Sequence, residues 1–322
     1  MFKTRFTEHL GVEFPIQCGT MMNISDGPFV AAGAKAGIFT CLASAMFPTE
    51  ELLIAEIKKI RDLTDQPFGV NISLFPSLLP LPVERTLDIL ADQGIRILET
   101  AGRNPGPYRE YIQERNFFHI HKCARLRDAV KAEKVGVDMV AVVGTECGGH
   151  PSMEEVTSLI LIPEVADRIR IPLIAGGGFC DGKSLVAALA LGASGILMGT
   201  RFLVSQESRV HPALKEKLIQ AQDSDTLIIQ KSIGSAVRVL KNEWAEKVLE
   251  LERKGAALDE LIPYISGKYT AAAWTSGSDE AIFACGQVIG RIMESGAIKE
   301  MVERIMAEAD ETAQKIWHIR NT

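Results

Sequence analysis

Two short glycine-rich stretches have the composition of a backbone that grips an anion. Ala175-Gly176-Gly177-Gly178-Phe179 runs into Asp181-Gly182, and Met198-Gly199-Thr200-Arg201-Phe202 follows further along the chain. Without Cβ atoms, consecutive N–H groups can close on a phosphate, and a helix starting just beyond such a turn adds its positive end. Thr200 offers a hydroxyl and Arg201 a guanidinium; the plainer reading is tight turns and a surface ion pair. A third stretch, Gly144-Thr145-Glu146-Cys147-Gly148-Gly149-His150, ends in an imidazole, whose ordinary pKa of ~6.5 suits proton exchange at neutral pH. Further polar groups are Gln17-Cys18-Gly19-Thr20-Met21-Met22, Asn71 and His121-Lys122. Asn71 could cap a turn, and His121 reads better as a satisfied core histidine. Lys122 could be a fixed cation or a Schiff-base former in a cofactor-free aldolase or lyase.

The elements that must carry these residues are short apolar runs at 15–19, 37–43, 68–73, 97–102, 118–123, 138–144, 172–177 and 195–202. They are near-continuously apolar rather than alternating, which predicts parallel strands covered on both faces. Helical segments lie between them: Thr49 opens one over 50–61, another spans 124–134 and stops at Gly136, and a third spans 181–191 and stops at Gly192. Eight such units predict an α/β fold, a (β/α)₈ TIM barrel, because a doubly wound sheet usually needs about five to seven strands. Chemistry in this fold sits where strands end, and strands 7 and 8 commonly build a phosphate site, which is where the two glycine stretches fall. Beyond 202 the spacing predicts helices at 243–254, 280–294 and 297–320, the last with Ile298, Met301, Val302, Ile305 and Met306 on one stripe. The domain reading is therefore a barrel over 1–205 and a helical extension over 206–322 that packs on it and completes the site.

Composition narrows the function. Apolar residues make up 47% and charged residues 24% of the 322, with a net charge of −6. That balance speaks against a nucleic-acid partner or polybasic membrane attachment. The uncharged stretch 184–200 approaches the length of a membrane span, but Gly192 divides it into a helix and a strand. Residues 1–8 carry charge where a secretory signal needs an apolar core, and six scattered cysteines fit a reducing cytoplasm. Cys147 with His150, or with Cys123 and Cys180, lacks ligand spacing, so neither a thiolate pair nor a metal is expected.

A phosphate grip with an amide, a cation and a histidine at neighbouring strand ends suits a flavin. The ring needs amide-type partners along its pyrimidine edge and a cation near N1 and O2, where reduction builds negative charge. Asn71 and Lys122 have those chemistries, and His150 would face the ring.

On these segments, together with Gly69-Val70-Asn71, Pro151 and Gly286-Gln287-Val288-Ile289-Gly290, the chain resembles the nitronate monooxygenase (2-nitropropane dioxygenase) family of FMN barrels. The resemblance runs from residue 17 to 290. It implies that Gly177, Gly178, Gly199 and Thr200 hold the phosphate of FMN and that Met21, Asn71 and Lys122 meet the ring. Gly19, Thr20, Gly148, Gly149, Ala175, Gly176, Met198 and Gln287 would complete the cofactor shell, with His150 as the active-site histidine. Gly286 would let a C-terminal helix approach the cofactor. Within the family the chain is most similar to the NADH:quinone reductase branch, through the proline loop 76–82 with Pro76, Pro80 and Pro82 beside the nicotinamide. NADH or NADPH would then be the donor and a quinone the acceptor. Oxidation of alkyl nitronates with O₂ is the alternative, and an enoyl-ACP reductase a further one. Gly148 and Ser152 depart from that branch, where Ala and Gly are common. The partners implied are small molecules, and a homodimer is compatible with the sequence.

Overall fold

The computed structural model describes residues 2–75 and 81–321, without the side chains of 268, 269 and 321. All eight apolar runs form strands: β1 Ile16–Cys18, β2 Cys41–Ala43, β3 Gly69–Ser73, β4 Ile97–Ala101, β5 Phe118–Cys123, β6 Met139–Val143, β7 Leu173–Gly176 and β8 Gly195–Met198. They are parallel, in the order β1-β8-β7-β6-β5-β4-β3-β2. The ring closes between β1 and the run-in to β2, where Gln17 bridges to Phe39 and the Phe39 N–H donates to the Ile16 carbonyl at 2.9 Å. This is the expected TIM barrel.

Alternation along each strand sends one set of side chains inward and the other against the helices. Phe39, Ile97, Ile120, Met139, Ile174 and Leu197 fill the interior. Helix Arg5–Leu10 plugs the lower end, with Phe6 fully buried and edge-on to Phe39 at 6.4 Å. Access is therefore from the carboxyl ends of the strands. The polar inward positions lie toward that end, and the register pairs Asn71 of β3 with Glu99 of β4.

The helix signals hold. Thr49 caps Glu50–Leu63, Gly136 ends Leu126–Val135 in the left-handed region at φ 93°, and Asp181 caps Gly182–Ala190. No helix among the described residues is long and apolar enough to cross a membrane.

Three expectations need correction. The eighth strand stops at Met198, because Gly199 turns the chain into the one-turn helix Thr200–Leu203. Residues 280–294 are not an α-helix: the chain is irregular, with only a 3₁₀ turn at Gln287–Arg291. Most of its apolar residues are buried as spacing suggested, Met293 excepted, but the backbone bonds elsewhere; the Phe283 carbonyl accepts from the Leu240 N–H at 2.8 Å. Residues 206–322 also carry, besides helices, an antiparallel hairpin of β9 Thr226–Ile229 and β10 Val237–Leu240, each too short to show a period in the sequence.

Helix Ile298–Asn321 buries the stripe Ile298, Met301, Val302, Ile305 and Met306 and lies on helix Gly182–Ala190. The contact is backbone on backbone: a Cβ at Gly182 would lie 2.3 Å from the Ala309 nitrogen and 2.4 Å from the Ile305 carbonyl. Gly182→Ala should accordingly destabilise the fold by about 1–3 kcal/mol, since overpacking at fixed backbone cannot be relieved by a rotamer. Urea or thermal unfolding measures this, and an unchanged midpoint would mean the helices do not meet there.

Candidate active site

At the open end of the barrel the organising group is one that sequence reading passed over. Glu99 points inward from β4 and is fully buried. Its Oε1 accepts from Asn71 Nδ2 at 2.6 Å, Thr20 Oγ1 at 2.9 Å and Lys122 Nζ at 3.5 Å, and its Oε2 accepts from Gln17 Nε2 at 2.5 Å. A buried charge is tolerable only when paired and hydrogen-bonded, and these four donors from β1, its following loop, β3 and β5 meet that need. The expected site residues Thr20, Asn71 and Lys122 are thus brought together, but by a carboxylate. Glu99 stands inside the apolar run 97–102, and a charge in a two-sided buried strand was the signal available.

The histidine lies on the loop after β6. Gly149, at φ 77°, pairs with Arg238 of β10: the Arg238 N–H donates to the Gly149 carbonyl at 2.7 Å and the Gly149 N–H returns to the Arg238 carbonyl at 3.1 Å. The Arg238 guanidinium is buried beneath the loop, donating from Nε to the Thr145 carbonyl at 3.0 Å. His150 so fixed faces Phe75, ring centroids 5.4 Å apart and planes inclined by 33°. The residue is exposed at the mouth, and desolvation by the groups around its ring, with the Lys122 charge second, lowers its pKa below the ordinary value. The imidazole is therefore neutral at neutral pH.

The glycine turns lie where strands 7 and 8 end. Gly177 and Gly178 have φ of 83° and 84°, a conformation L side chains rarely adopt. A Cβ at Gly178 would meet the Glu146 side chain at 3.8 Å, and one at Gly199 only Met21 Sδ at 3.7 Å among the described residues. These turns leave space beside bare backbone. Glu146 is itself engaged, accepting from the Ser158 N–H at 3.0 Å and from its hydroxyl at 3.0 Å. Two N–H groups in the first turn of the next helix already have partners, Ser184 with Asp181 at 2.9 Å and Gly182 with Glu308 at 2.8 Å. The charges acting on Arg201 are those of Arg304, Glu294 and Asp181, on the side of the C-terminal helix.

The C-terminal segment does reach the site, by backbone rather than as a helix. The Gly286 N–H donates to Thr200 Oγ1 at 2.8 Å, and the Gln287 N–H to the Glu146 carbonyl at 2.9 Å. What Gly286 approaches closely is the loop after β6, since a Cβ there would lie 2.6 Å from the Glu146 carbonyl. Ala175, Gly176 and Met198 are buried in the ends of β7 and β8, and Gly19 packs against Gly199. Pro76 and Pro80 lie outside the described residues; Pro82 caps helix Val83–Asp92.

Other readings are settled by surroundings. His119 and His121 point away from the interior and share the Thr100 hydroxyl at 2.7 and 2.8 Å; burial lowers them to about 3 and about 4, as befits neutral core histidines. Burial pushes the thiols of Cys123, Cys147, Cys180 and Cys285 up to about 12, so none is a nucleophile at neutral pH. No group of three or more His, Cys, Asp or Glu among the described residues could hold a metal ion.

A parallel eight-stranded barrel with this mouth defines an α/β enzyme with its site at the strand ends. The family profile described as Nitronate monooxygenase matches residues 3–79 and 81–308, so the chain belongs to the nitronate monooxygenase family and is an oxidoreductase. A (3aS,4S,5R,7aS)-5-hydroxy-7a-methyl-1-oxo-octahydro-1H-indene-4-carboxyl-CoA dehydrogenase of Rhodococcus jostii is 38% identical over 75% of this chain; the match spans 66% of that relative, just short of two thirds of its length. A probable nitronate monooxygenase of Staphylococcus saprophyticus is 27% identical over 96% of this chain and 98% of its own. Among solved structures, FabK from Thermotoga maritima superposes with a TM-score of 0.90 at 32% identity, covering 99% of this chain and 100% of that one. Nitroalkane oxidase from Streptomyces ansochromogenes shares the fold, with a TM-score of 0.79 at 22% identity over 97% of this chain and 99% of its own.

The lowered pKa of His150 has a direct readout. Its ring should titrate below ~6.5, and Lys122→Met, by removing the nearby positive charge, should move that titration upward. Ring resonances of histidine-labelled protein, assigned with His150→Asn, measure both; a midpoint above the ordinary value would contradict the described surroundings.

Proposed function

We propose that this oxidoreductase binds FMN at the barrel mouth, accepts hydride from NADH or NADPH and passes two electrons to a quinone. The residues fit the cofactor: Gly178 and Gly199 offer bare backbone with room beside it for the phosphate, Gly177 packs on the Gly144 backbone and shapes the turn, and the Thr200 hydroxyl lies beside Gly199. Asn71 and Lys122, from the two strands that flank β4, provide an amide and a cation for the ring's polar edge. FMN, when bound, supplies reversible two-electron chemistry that no side chain of this chain can perform. Residues 206–322 complete the site by fixing the His150 loop through Arg238 and by bringing Gln287 to Glu146.

The observation that carries the choice of acceptor is the charge balance of the mouth. His150 is held neutral, and the Lys122 ammonium is paired with Glu99 at 3.5 Å. A mouth whose lysine is balanced by a carboxylate favours a neutral, planar acceptor over an anion. The flat Phe75–His150 pair offers stacking surface, and a neutral imidazole can donate one hydrogen bond to a quinone oxygen. The reaction balances as NAD(P)H, quinone and a proton giving NAD(P)⁺ and hydroquinone. A Schiff-base role for Lys122 is disfavoured on the same ground: such lysines are activated by apolar burial or a second cation, whereas this one faces an anion.

Oxidation of an anionic alkyl nitronate with O₂ is the second reading, supported by the Staphylococcus relative's name and coverage. Purified protein reconstituted with FMN should be bleached by NADH or NADPH without oxygen and recoloured by benzoquinones. His150→Asn should then raise KM for the quinone more than it lowers kcat. Absence of bleaching by either nucleotide, with nitronate turnover that falls about 100-fold in His150→Asn, would replace this reading with the second. A hydroxylated carboxyl-CoA compound belongs beside NADH and NADPH in the donor screen because of the Rhodococcus relative, whose name is that of a dehydrogenase.

A further inference from the structure

Glu99 is buried and paired with Lys122, and in the reaction proposed above it balances charge without touching a reacting group. All its polar neighbours are donors: Gln17, Thr20, Asn71 and Lys122. An ionised carboxylate only accepts, so it dictates which end of each neighbouring amide points toward it. Gln17 shows the strength of that demand. Its Nε2 lies 2.5 Å from Glu99 Oε2, while its buried Oε1 has no partner among the described residues. Asn71 obeys the same rule: with Nδ2 committed to Glu99 at 2.6 Å, its carbonyl oxygen is the end left for a ligand N–H. Lys122, about one-fifth exposed, is tethered at 3.5 Å with its remaining protons free.

We infer that Glu99 is a positioning residue for the cofactor: it presents Asn71 as an acceptor, anchors Lys122 as the donor, and sets the reduction potential of the bound ring by opposing the Lys122 charge. This rests on FMN binding at the mouth as proposed above. Negative charge builds on the ring's N1–O2 edge upon reduction, so a cation there stabilises the reduced form and a carboxylate beside that cation weakens the effect. The low polarity of the barrel interior keeps this opposition from being screened as it would be in water.

Two substitutions push in opposite directions. Glu99→Gln removes the negative charge, so FMN in that variant should favour the reduced form at least tenfold more, a rise of ~30 mV for a two-electron couple. Gln17→Met removes one donor while Thr20, Asn71 and Lys122 remain on the carboxylate, so its negative charge is less compensated and the potential should fall. Potentials come from anaerobic dye-linked titration of FMN-loaded protein, with FMN affinity measured in parallel by fluorescence quenching. Generic loosening would not give shifts of opposite sign. If Glu99→Gln does not fold, the sign in Gln17→Met decides alone, a fall supporting the inference and no change overturning it. Potentials equal to that of the unsubstituted protein, with FMN bound, overturn the inference and leave the cofactor reading intact. If the unsubstituted protein takes up no FMN, the cofactor reading fails and carries the inference with it.

Discussion

Removing a carboxylate from water costs several kcal/mol even after relaxation, and a structure that keeps one fully buried must surround it with donors. In this barrel that requirement falls on Glu99, and meeting it fixes much of the mouth. Donors come from the first strand and the loop after it, from the third strand and from the fifth, so one anion joins three separated parts of the wall. The strand register makes this achievable, since Asn71 and Glu99 are direct neighbours across the ladder. Below them the interior is apolar and sealed by Phe6 and Phe39, which offers the carboxylate no hydrogen bonds from that side among the described residues.

The second constraint is imposed by chain that follows the barrel. The loop carrying His150 contains three glycines and would be free to wander, but the hairpin pairs with it through Arg238 and the segment around Gly286 lies directly against it. Cβ atoms at both Gly148 and Gly286 would collide with the facing backbone, at 2.6 Å in each case. Backbone-to-backbone packing of this kind is stiff, because no rotamer can relieve it. The histidine is therefore presented by the extension as much as by the barrel.

What the sequence made legible follows from these physics. Two-sided burial wrote the eight strands as continuous apolar runs, and caps such as Thr49, Asp181 and Gly136 marked helix ends because they satisfy local backbone groups. The glycine turns, Asn71, Lys122 and His150 were legible because their types are unusual at strand ends. Glu99 was hidden inside a run counted as apolar, and its role depends on partners from 23 to 82 residues away. Arg238 and the hairpin were missed for the same reason, as strands of four residues show too little periodicity. The segment 280–294 misled because buried residues at helical spacing look alike whether the backbone bonds to itself or to Leu240 and Glu146.

These two constraints together explain the electrostatic character of the mouth. The extension fixes the loop that carries His150, where desolvation and the nearby Lys122 both disfavour protonation of the ring. Glu99 in turn occupies Lys122, so the cation that suppresses the imidazolium is itself balanced. Neither group is left as a free charge, although both lie at the open end of the barrel. Had Glu99 been apolar, Lys122 would face the cavity uncompensated and draw anions to it. The buried acid therefore bears on the choice of substrate without reaching it, by deciding how much positive charge the site displays.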